Sequence, residues 1–307
     1  MDPESAHHAI DAVVLNFRTP HDTLAAVESL VASRQPLRRI FVIDNEQSDD
    51  CRHVLGRVWH QIEYRQTRSN LGYSGGMNIG IRAAVDRGAS AVLLVNSDVV
   101  LPPDCLAELC HGLERVPQAA IAGPVVVARA EPDRVASLGL SYDLKTGRMR
   151  HRGFGTARAA VALPRVQVVD AVSGCLMLVQ RRAFDQVGLF EESYFFSFED
   201  LDLCLNARRH GLETVLAGHA LVYHEGGRSL DSRSPRRHYF AARNHLLLAD
   251  RVSPPTAGAM RLARKASIVL LNIAYAVRSG PRQLPARLGA VARGVRDYHV
   301  GRYGADA

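Results

Sequence analysis

Three carboxylates lie within four residues of the sequence, at Glu199, Asp200 and Asp202. Carboxylates this close repel one another when ionised, and the repulsion raises the pKa of at least one of them. A carboxylate in that state is a good general base for a hydroxyl group. At helical spacing Glu199 and Asp202 share one face while Asp200 points elsewhere. The alternative is a charged helix N-terminus stabilised by the helix dipole, for which one acid would suffice.

A candidate metal site lies at residues 96–98, where Asn-Ser-Asp follows an apolar run. Mg²⁺ and Mn²⁺ prefer oxygen ligands and keep coordination positions for phosphate oxygens, so Asp98 could bind a cation that bridges two phosphates. His224 ends a later apolar segment, and a neutral imidazole there could be a further ligand. The alternatives are a strand-to-helix turn, which Asn, Ser and Asp all favour, and a structural histidine.

Two further segments have the chemistry of a nucleotide site. Asp44 ends an apolar run and could accept hydrogen bonds from a ribose hydroxyl or a base N–H, although a cap or turn is the alternative. Residues 69–80 are rich in glycine, which permits close backbone approach, and the helix start that follows favours anionic groups. The loop matches neither a Walker A loop nor the dinucleotide fingerprint. Asn70 and Asn78 favour polar contacts over a pure phosphate cradle.

The elements that would hold these groups alternate between strand and helix. Apolar strands are predicted at residues 10–17, 39–44, 62–65, 91–95 and 119–127, with helices within residues 21–31, 49–59, 69–87 and 102–113. Apolar strands separated by helices favour a mostly parallel sheet covered on both faces. Ligands bind beyond the carboxyl ends of such strands, and Asn16, Asp44 and residues 96–98 lie at those ends.

The later residues predict a second half and a basic tail. Hairpins or a flap are expected at residues 134–167, a strand pair broken at 173–174 within 168–180, two short strands at 214–224, and helices from 235 onward. We predict a catalytic domain at residues 1–255, with a donor half at about 9–130 and an acceptor half at about 131–255, and a basic helical extension at 256–307.

Composition excludes several classes of protein. The 307 residues are 47% hydrophobic and 22% charged, which argues against a disordered chain. The net charge is +7. The first 230 residues contain no compact basic run with interleaved aromatics, so this part of the sequence gives no indication of a nucleic-acid partner. Five cysteines without a Cys-x-x-Cys pair argue against a zinc cluster or a disulfide scaffold, and they favour a reducing cytoplasm.

The two ends of the chain bear on membrane contact. Residues 1–8 are polar and hold no signal-peptide stretch, and the longest apolar run, near residues 268–277, is too short to span a bilayer. Residues 261–302 contain nine Lys or Arg and one acid, Asp297. This segment could lie on the inner face of the plasma membrane, or pack on the catalytic domain or on a second subunit of a homodimer. We expect a cytoplasmic protein, soluble or peripheral to that membrane.

Together the motifs resemble those of the family 2 glycosyltransferases of the GT-A fold, especially their rhamnosyltransferase-like branch, over about residues 9–250. They follow the family's order: residues 43–45 with Ser48 and Asp50, 70–72 and 78–80, 96–98, 173–175, 188–192 and 199–203, 224–227, and 243–244. Any one of these motifs is weak, whereas all of them in order are hard to obtain by chance.

The resemblance implies a GT-A-like α/β fold, and inverting transfer of a sugar from a nucleotide-diphosphate sugar to an acceptor hydroxyl. It implies that Asp200 is the base, that Glu199 and Asp202 orient the acceptor or the base, and that Asp98 and His224 hold Mg²⁺ or Mn²⁺. Donor contacts would come from Asn16, Asp44, Asn70, Asn78, Ser97 and Arg243, and the acceptor region would include Gly174, Cys175 and Asp202. The expected donor is dTDP-rhamnose or another dTDP- or UDP-sugar, and the acceptor a glycan, a lipid-linked intermediate or a small natural product.

Three positions depart from the family pattern. Asn96 replaces the first acid of the metal motif, Glu191 replaces an aspartate, and Asn206 stands where arginine is common. The first change leaves a cation fewer anionic ligands, and the others affect the acceptor more than the reaction. A nucleotidyltransferase is one alternative, but it would have a basic glycine-rich loop after the first strand. In this sequence residues 16–20, Asn-Phe-Arg-Thr-Pro, stand there instead. A catalytically inactive nucleotide-sugar-binding protein is the other.

Overall fold

One mixed sheet of ten strands organises the computed structural model, which describes residues 9–226, 233–252 and 258–305. The strands are β1 (Ile10–Asn16), β2 (Arg39–Asp44), β3 (Glu63–Gln66), β4 (Ala91–Asn96), β5 (Val99–Val100), β6 (Ala119–Ala128), β7 (Val135–Ser137), β8 (Leu140–Tyr142), β9 (Met149–His151), β10 (Val166–Val169), β11 (Leu176–Gln180) and β12 (Glu213–His224). The helices are α1 (Pro20–Val31), α2 (Asp50–Val54), α3 (Gly72–Asp86), α4 (Cys105–Arg115), α5 (Arg181–Val187), α6 (Glu199–Arg209), α7 (Pro235–Arg251), α8 (Gly258–Arg278) and α9 (Leu284–His299).

The first half of the sheet is parallel, as its apolar strands predict. Strands β4, β1, β2 and β3 are neighbours in that order and run parallel, and β1 is buried along its whole length. Helix α3 packs against one face of these strands, while α1 packs against the other. Because the strands share a direction, Asn16, Asp44 and Asn96 end at one edge of the sheet.

The second half of the sheet differs from the sequence prediction. Residues 168–180 do not form a strand pair: β11 inserts antiparallel between β4 and β6, and β10 pairs with β12 instead. Residues 214–224 form part of one long strand, β12, with an irregular register between Ala217 and Leu221, rather than two short strands. Hairpin β8–β9 forms in the predicted flap. The insertion of β11 brings the second half of the chain to the edge where Asn96 lies.

Three helices complete the described part of the chain. Ser234 is the N-cap of helix α7, and its hydroxyl accepts a hydrogen bond from the Arg237 N–H. Helix α7 packs against both α8 and α9. The Tyr239 hydroxyl on α7 donates to Asp297 on α9 at 2.9 Å. The predicted extension is thus joined to the predicted catalytic domain by packing and hydrogen bonds; the boundary between them stays a prediction. Within the described residues, no helix is both long and apolar enough to cross a membrane.

Candidate active site

Asp44 lies at the end of β2 in a closed hydrogen-bond network. Its carboxylate accepts hydrogen bonds from the Asn16 amide at 2.7 Å and from the Tyr64 hydroxyl at 2.5 Å. The residue is fully buried, and burial raises the pKa of Asp44 although both hydrogen bonds favour its charged form. A nucleoside would therefore reach this side chain only by displacing a covering group such as Tyr64, a residue that no sequence motif indicated.

Asn16 and Ser97 belong to the same network. The Asn16 side-chain oxygen accepts hydrogen bonds from the Thr19 N–H at 3.2 Å and the Thr23 hydroxyl at 2.8 Å. The Thr19 and Ser97 hydroxyl oxygens are 2.7 Å apart. The structure thus brings Asn16, Asp44 and Ser97 together, as their positions at strand ends predict. Their role as donor contacts stays a prediction.

Asn70 and Asn78 both use their amides inside the protein. The Asn70 side-chain oxygen accepts the Gly72 N–H at 2.9 Å, which fixes the start of α3. Gly72 has φ +73°, and a Cβ there would lie 2.3 Å from the Phe195 carbonyl oxygen, so only glycine fits. The Asn78 amide exchanges hydrogen bonds with the backbone of Phe190 at 2.8 and 3.1 Å. Helix α3 is therefore tied to residues 190–195 of the second half.

Asp98 and His224 meet because β5 pairs with the end of β12. The His224 Nε2 lies 3.2 Å from one Asp98 oxygen, and the Gly226 N–H donates to the other at 3.1 Å. Burial opposes ionisation of Asp98, but the hydrogen bond and charge of His224, with the Gly226 N–H, outweigh it and hold the pKa of Asp98 below its ordinary value. Gly227, the last residue of the predicted histidine motif, lies outside the described residues.

These side chains fit a divalent cation only as a partial ligand set. Asp98 and His224 supply a carboxylate and an imidazole in contact, and the buried Asn96 side-chain oxygen has no hydrogen-bond partner among the described residues. No group of three or more His, Cys, Asp or Glu that could hold a metal occurs in the part of the chain that the structure describes. A cation here would draw its remaining ligands from water and from the oxygens of a diphosphate.

The Asp200 carboxylate is held by backbone N–H groups at the start of α6. It accepts hydrogen bonds from Gly174 and Leu201, both at 2.8 Å. A Cβ on Gly174 would lie 3.0 Å from the Cβ of Asp200, so glycine permits this close approach. Burial raises the pKa of Asp200, and the two N–H groups and the charge of His151 on β9 oppose the shift only in part. Asp200 thus keeps a raised pKa with its carboxylate fixed, and no sequence motif pointed to His151.

Glu199 is the neighbouring acid and differs from Asp200 in its hydrogen bonding. Its side chain is almost fully buried, and the Oε2 atom has no hydrogen-bond partner within the described ranges. Burial and the charge of Asp200 raise the pKa of Glu199 well above its ordinary value. Glu199 therefore favours its protonated form, while the N–H donors around Asp200 favour the ionised form of that residue.

Gly174 and Cys175 contribute their backbones to the site. The Gly174 carbonyl accepts the Tyr73 hydroxyl at 2.7 Å, and the Cys175 carbonyl accepts the Asn96 N–H at 2.9 Å. The Cys175 thiol is buried, and burial raises its pKa to about 12, so it is not a thiolate at neutral pH. Residues 174–175 therefore join α3, β4 and the carboxylate of Asp200.

Residues 7–245 match the family model described as Glycosyltransferase like family 2. The chain belongs to this family. The N-acetylglucosaminyl-diphospho-decaprenol L-rhamnosyltransferase of Mycobacterium tuberculosis is 26% identical in an alignment of 270 positions that covers 82% of this chain and 87% of that relative. The Low-salt glycan biosynthesis hexosyltransferase Agl10 of Haloferax volcanii is 24% identical in an alignment of 208 positions that covers 66% of this chain and 62% of that relative.

Solved structures show the same fold. The mannosyltransferase PcManGT from Pyrobaculum calidifontis, in complex with GDP-Man and Mn²⁺, superposes with a TM-score of 0.57 at 15% identity, covering 95% of this chain and 82% of that one. The expected GT-A architecture is therefore confirmed, with a mixed central sheet and a C-terminal helical part. The chain thus has the family of the family 2 glycosyltransferases and the fold of a solved glycosyltransferase.

In this family 2 glycosyltransferase, Asp202 faces a cation of α7. The buried carboxylate lies 3.1 Å from the Arg251 guanidinium, which also reaches Glu191 at 2.9 Å. Glu191, predicted to alter acceptor contacts, accepts the Ser193 N–H at 3.1 Å in addition. Arg251, which no sequence motif pointed to, thus ties α6 and the residue 191–193 turn to α7.

Replacing Arg251 by methionine is expected to lower the free energy of unfolding by about 3 kcal/mol at neutral pH, because it leaves the buried Asp202 carboxylate without its cation. Burial already raises the pKa of Asp202 despite Arg251, so the loss grows as pH rises through that pKa and shrinks in acid. Denaturant unfolding at several pH values measures the effect. Adding Asp202→Asn should restore part of the stability, and an equal loss at every pH would contradict this account.

Arg243 is fully buried behind the residues that precede α6. Its guanidinium donates to the carbonyls of Tyr194 at 3.0 Å, Ser193 at 3.2 Å and Gly304 at 2.8 Å. The neighbouring Asn244 amide donates to the carbonyls of residues 194, 196 and 197. This Arg-Asn pair therefore supports the backbone that leads into α6, and the structure shows its donors directed at protein carbonyls.

Proposed function

We propose that this protein transfers a sugar, with inversion, from a nucleotide-diphosphate sugar to an acceptor hydroxyl, with Asp200 as the general base. The observation that carries the proposal is the fixed Asp200 carboxylate, held by the Gly174 N–H at 2.8 Å, with a raised pKa and incomplete burial. A carboxylate in this state can take a proton from a hydroxyl. Membership of the glycosyltransferase family supports sugar transfer as the reaction, and the shared fold supports the same proposal.

The proposed step is a single displacement. Asp200 removes the proton of the acceptor hydroxyl while that oxygen forms a bond to the anomeric carbon. The bond from the anomeric carbon to the diphosphate oxygen breaks on the opposite side, so the configuration inverts and the nucleoside diphosphate leaves with the electron pair. Glu199 is almost fully buried beside Asp200, and burial and the charge of Asp200 raise the pKa of Glu199 well above its ordinary value.

The leaving diphosphate would be bound at the other side of the site. Asp98 and His224 are the residues that would hold Mg²⁺ or Mn²⁺, which when bound neutralises charge on the departing diphosphate. The Asn16–Asp44–Ser97 network lies at the adjoining strand ends and would support the nucleoside. The name of the Mycobacterium tuberculosis relative supports rhamnose as the sugar and a diphosphate-linked acceptor. A Shigella flexneri relative named dTDP-rhamnosyl transferase RfbF supports dTDP as the carrier, so dTDP-rhamnose is the donor we propose first.

Replacing Asp98 by alanine is expected to weaken donor binding at least about tenfold in the presence of Mg²⁺ or Mn²⁺. Calorimetric titration of dTDP-rhamnose, UDP-sugars and GDP-mannose, with and without the cation, measures this. The cation should tighten donor binding to the wild type and have no such effect on the variant. Asp104→Ala is the matched control, because that acid is exposed and pairs only with the exposed Arg34 among the described residues.

Two outcomes would overturn the proposal. If no nucleotide sugar binds with or without a cation, the donor site is wrongly assigned. If a donor binds but is neither hydrolysed nor transferred, the protein is a nucleotide-sugar-binding protein and not a transferase.

A further inference from the structure

Helix α8 buries only one narrow stripe against the rest of the protein. Its buried residues are Arg264, Ile268, Asn272 and Ala276, which recur every four residues along one side. Arg264 donates to the Leu144 carbonyl of the β8–β9 turn at 2.8 Å, and Asn272 donates to the backbone of its own helix. Unusually for a helix of a soluble domain, the packed stripe holds two of its polar side chains.

The opposite side of α8 is apolar and exposed. Leu262, Leu270 and Val277 are 71%, 66% and 51% exposed, and Ile273 is 37% exposed. Alanines 263, 266 and 274 lie between them and are also exposed. At about 100° per residue these side chains fall within roughly a third of the helix circumference, and that arc contains no charged residue. The stripe from residue 262 to 277 is about 22 Å long.

Cations border this apolar stripe. Arg278 and Arg282 lie just beyond its C-terminal end, are exposed, and form no ion pair with an acid of the described residues. Over residues 258–305 the sequence has nine Lys or Arg and one acid.

We propose that the exposed stripe of α8 docks on an anionic lipid bilayer, parallel to its surface. Apolar side chains would enter the boundary between head groups and acyl chains, and the bordering arginines would meet lipid phosphates. A second copy of the chain would present the same unpaired arginines, so like charges would oppose that contact, whereas an anionic bilayer complements both the stripe and its border. This inference goes beyond the proposed function and requires no sugar donor or acceptor.

Co-sedimentation with vesicles tests the proposal. The full-length protein should bind vesicles of phosphatidylcholine with phosphatidylglycerol, bind phosphatidylcholine alone at least about tenfold more weakly, and lose affinity in high salt. Leu270→Gln/Ile273→Gln should reduce binding at least about tenfold, and Arg278→Gln/Arg282→Gln by a similar factor. Val31→Gln/Val168→Gln is the matched control, because these exposed valines are 45% and 46% accessible and lie outside α8. Thermal melting confirms that each variant is folded.

Three results would overturn the proposal: no binding of the wild type to anionic vesicles, equal binding of the Leu270/Ile273 variant, or a wild-type dimer in light scattering that this variant converts to a monomer. The last would assign the stripe to a contact between copies. Donor titration in the absence of vesicles tests the proposed transferase function separately, so the failure of one proposal is distinguishable from the failure of the other.

Discussion

Replacing Asp200 by asparagine is expected to reduce kcat by about 10²–10⁴-fold while leaving donor affinity unchanged. Asparagine keeps one side-chain oxygen that can accept the Gly174 N–H, which now lies 2.8 Å from Oδ2, but its NH2 group cannot accept the Leu201 N–H that Oδ1 accepts at 2.8 Å. Thermal melting of the variant therefore accompanies the kinetic measurement. The amide cannot take a proton from the acceptor hydroxyl. Transfer from the donor identified by titration gives kcat, and calorimetry gives the dissociation constant of the donor.

The same substitution two residues along the helix is the matched control. Asp202→Asn also replaces a buried acid at the start of α6, but that acid contacts Arg251. The sequence resemblance places Asp202 in the acceptor region, but its carboxylate is paired with Arg251 at 3.1 Å, so we expect turnover to be retained in Asp202→Asn and lost in Asp200→Asn. If Asp200→Asn turns over as fast as the wild type, or if it loses donor affinity in place of kcat, Asp200 is not the base.

The pH dependence of the wild type should carry the signature of the same group. The base must be ionised, and burial raises the pKa of Asp200. Activity should therefore fall, as pH is lowered, at a higher pH than an ordinary aspartate would give. A profile of kcat/KM against pH measures this acidic limb, which should be absent from the residual activity of Asp200→Asn.

The parallel half of the fold could be predicted from the sequence because its signals are local. Strands β1, β2 and β4 are apolar runs that each end in a polar residue, so their direction and the convergence of Asn16, Asp44 and Asn96 follow from the chain itself. The second half depends on pairing between distant segments. Nothing in the residues of β11 shows that it inserts between β4 and β6, and the contact of Asp98 with His224 requires the equally distant pairing of β5 with β12.

The same difference between local and distant contacts decides which parts of the candidate site could be predicted. Family motifs indicate which residues matter, but not whether a side chain faces a ligand or the backbone of a distant loop. The resemblance implies that Asn78 is a donor contact, yet its amide binds the backbone of Phe190, 112 residues further along the chain. Tyr64, Tyr73 and His151 reach the site through contacts that leave no pattern in the sequence, because each depends on how two elements pack.

Arg243→Met is expected to lower the free energy of unfolding by about 1–3 kcal/mol and to reduce kcat in the protein that remains folded. Removing the guanidinium takes away the donor that the Gly304 carbonyl accepts at 2.8 Å, and an unsatisfied buried group costs about 1–3 kcal/mol. The Tyr194 carbonyl keeps the Asn244 amide as a donor, and the Ser193 carbonyl keeps the Gly304 N–H. The segment that loses this support is strained, since Phe195, Ser197 and Phe198 all have positive φ. These residues lead directly into Glu199 and Asp200.

Denaturant unfolding, kcat and donor affinity together separate this supporting role from the donor contact that the sequence resemblance implies for Arg243. A supporting role predicts lost stability and lower kcat with unchanged donor affinity. A donor contact predicts weaker donor affinity with unchanged stability. Arg115→Met, at an exposed arginine at the end of α4, should change stability by less than about 0.5 kcal/mol. If Arg243→Met fails to fold, Asn244→Ala tests the same support, because it removes the three hydrogen bonds that the Asn244 amide donates to the carbonyls of residues 194, 196 and 197. If stability and kcat fall while donor affinity is unchanged, Asp200 is positioned by side chains more than forty residues further along the chain. Weaker donor affinity without loss of stability would refute that conclusion.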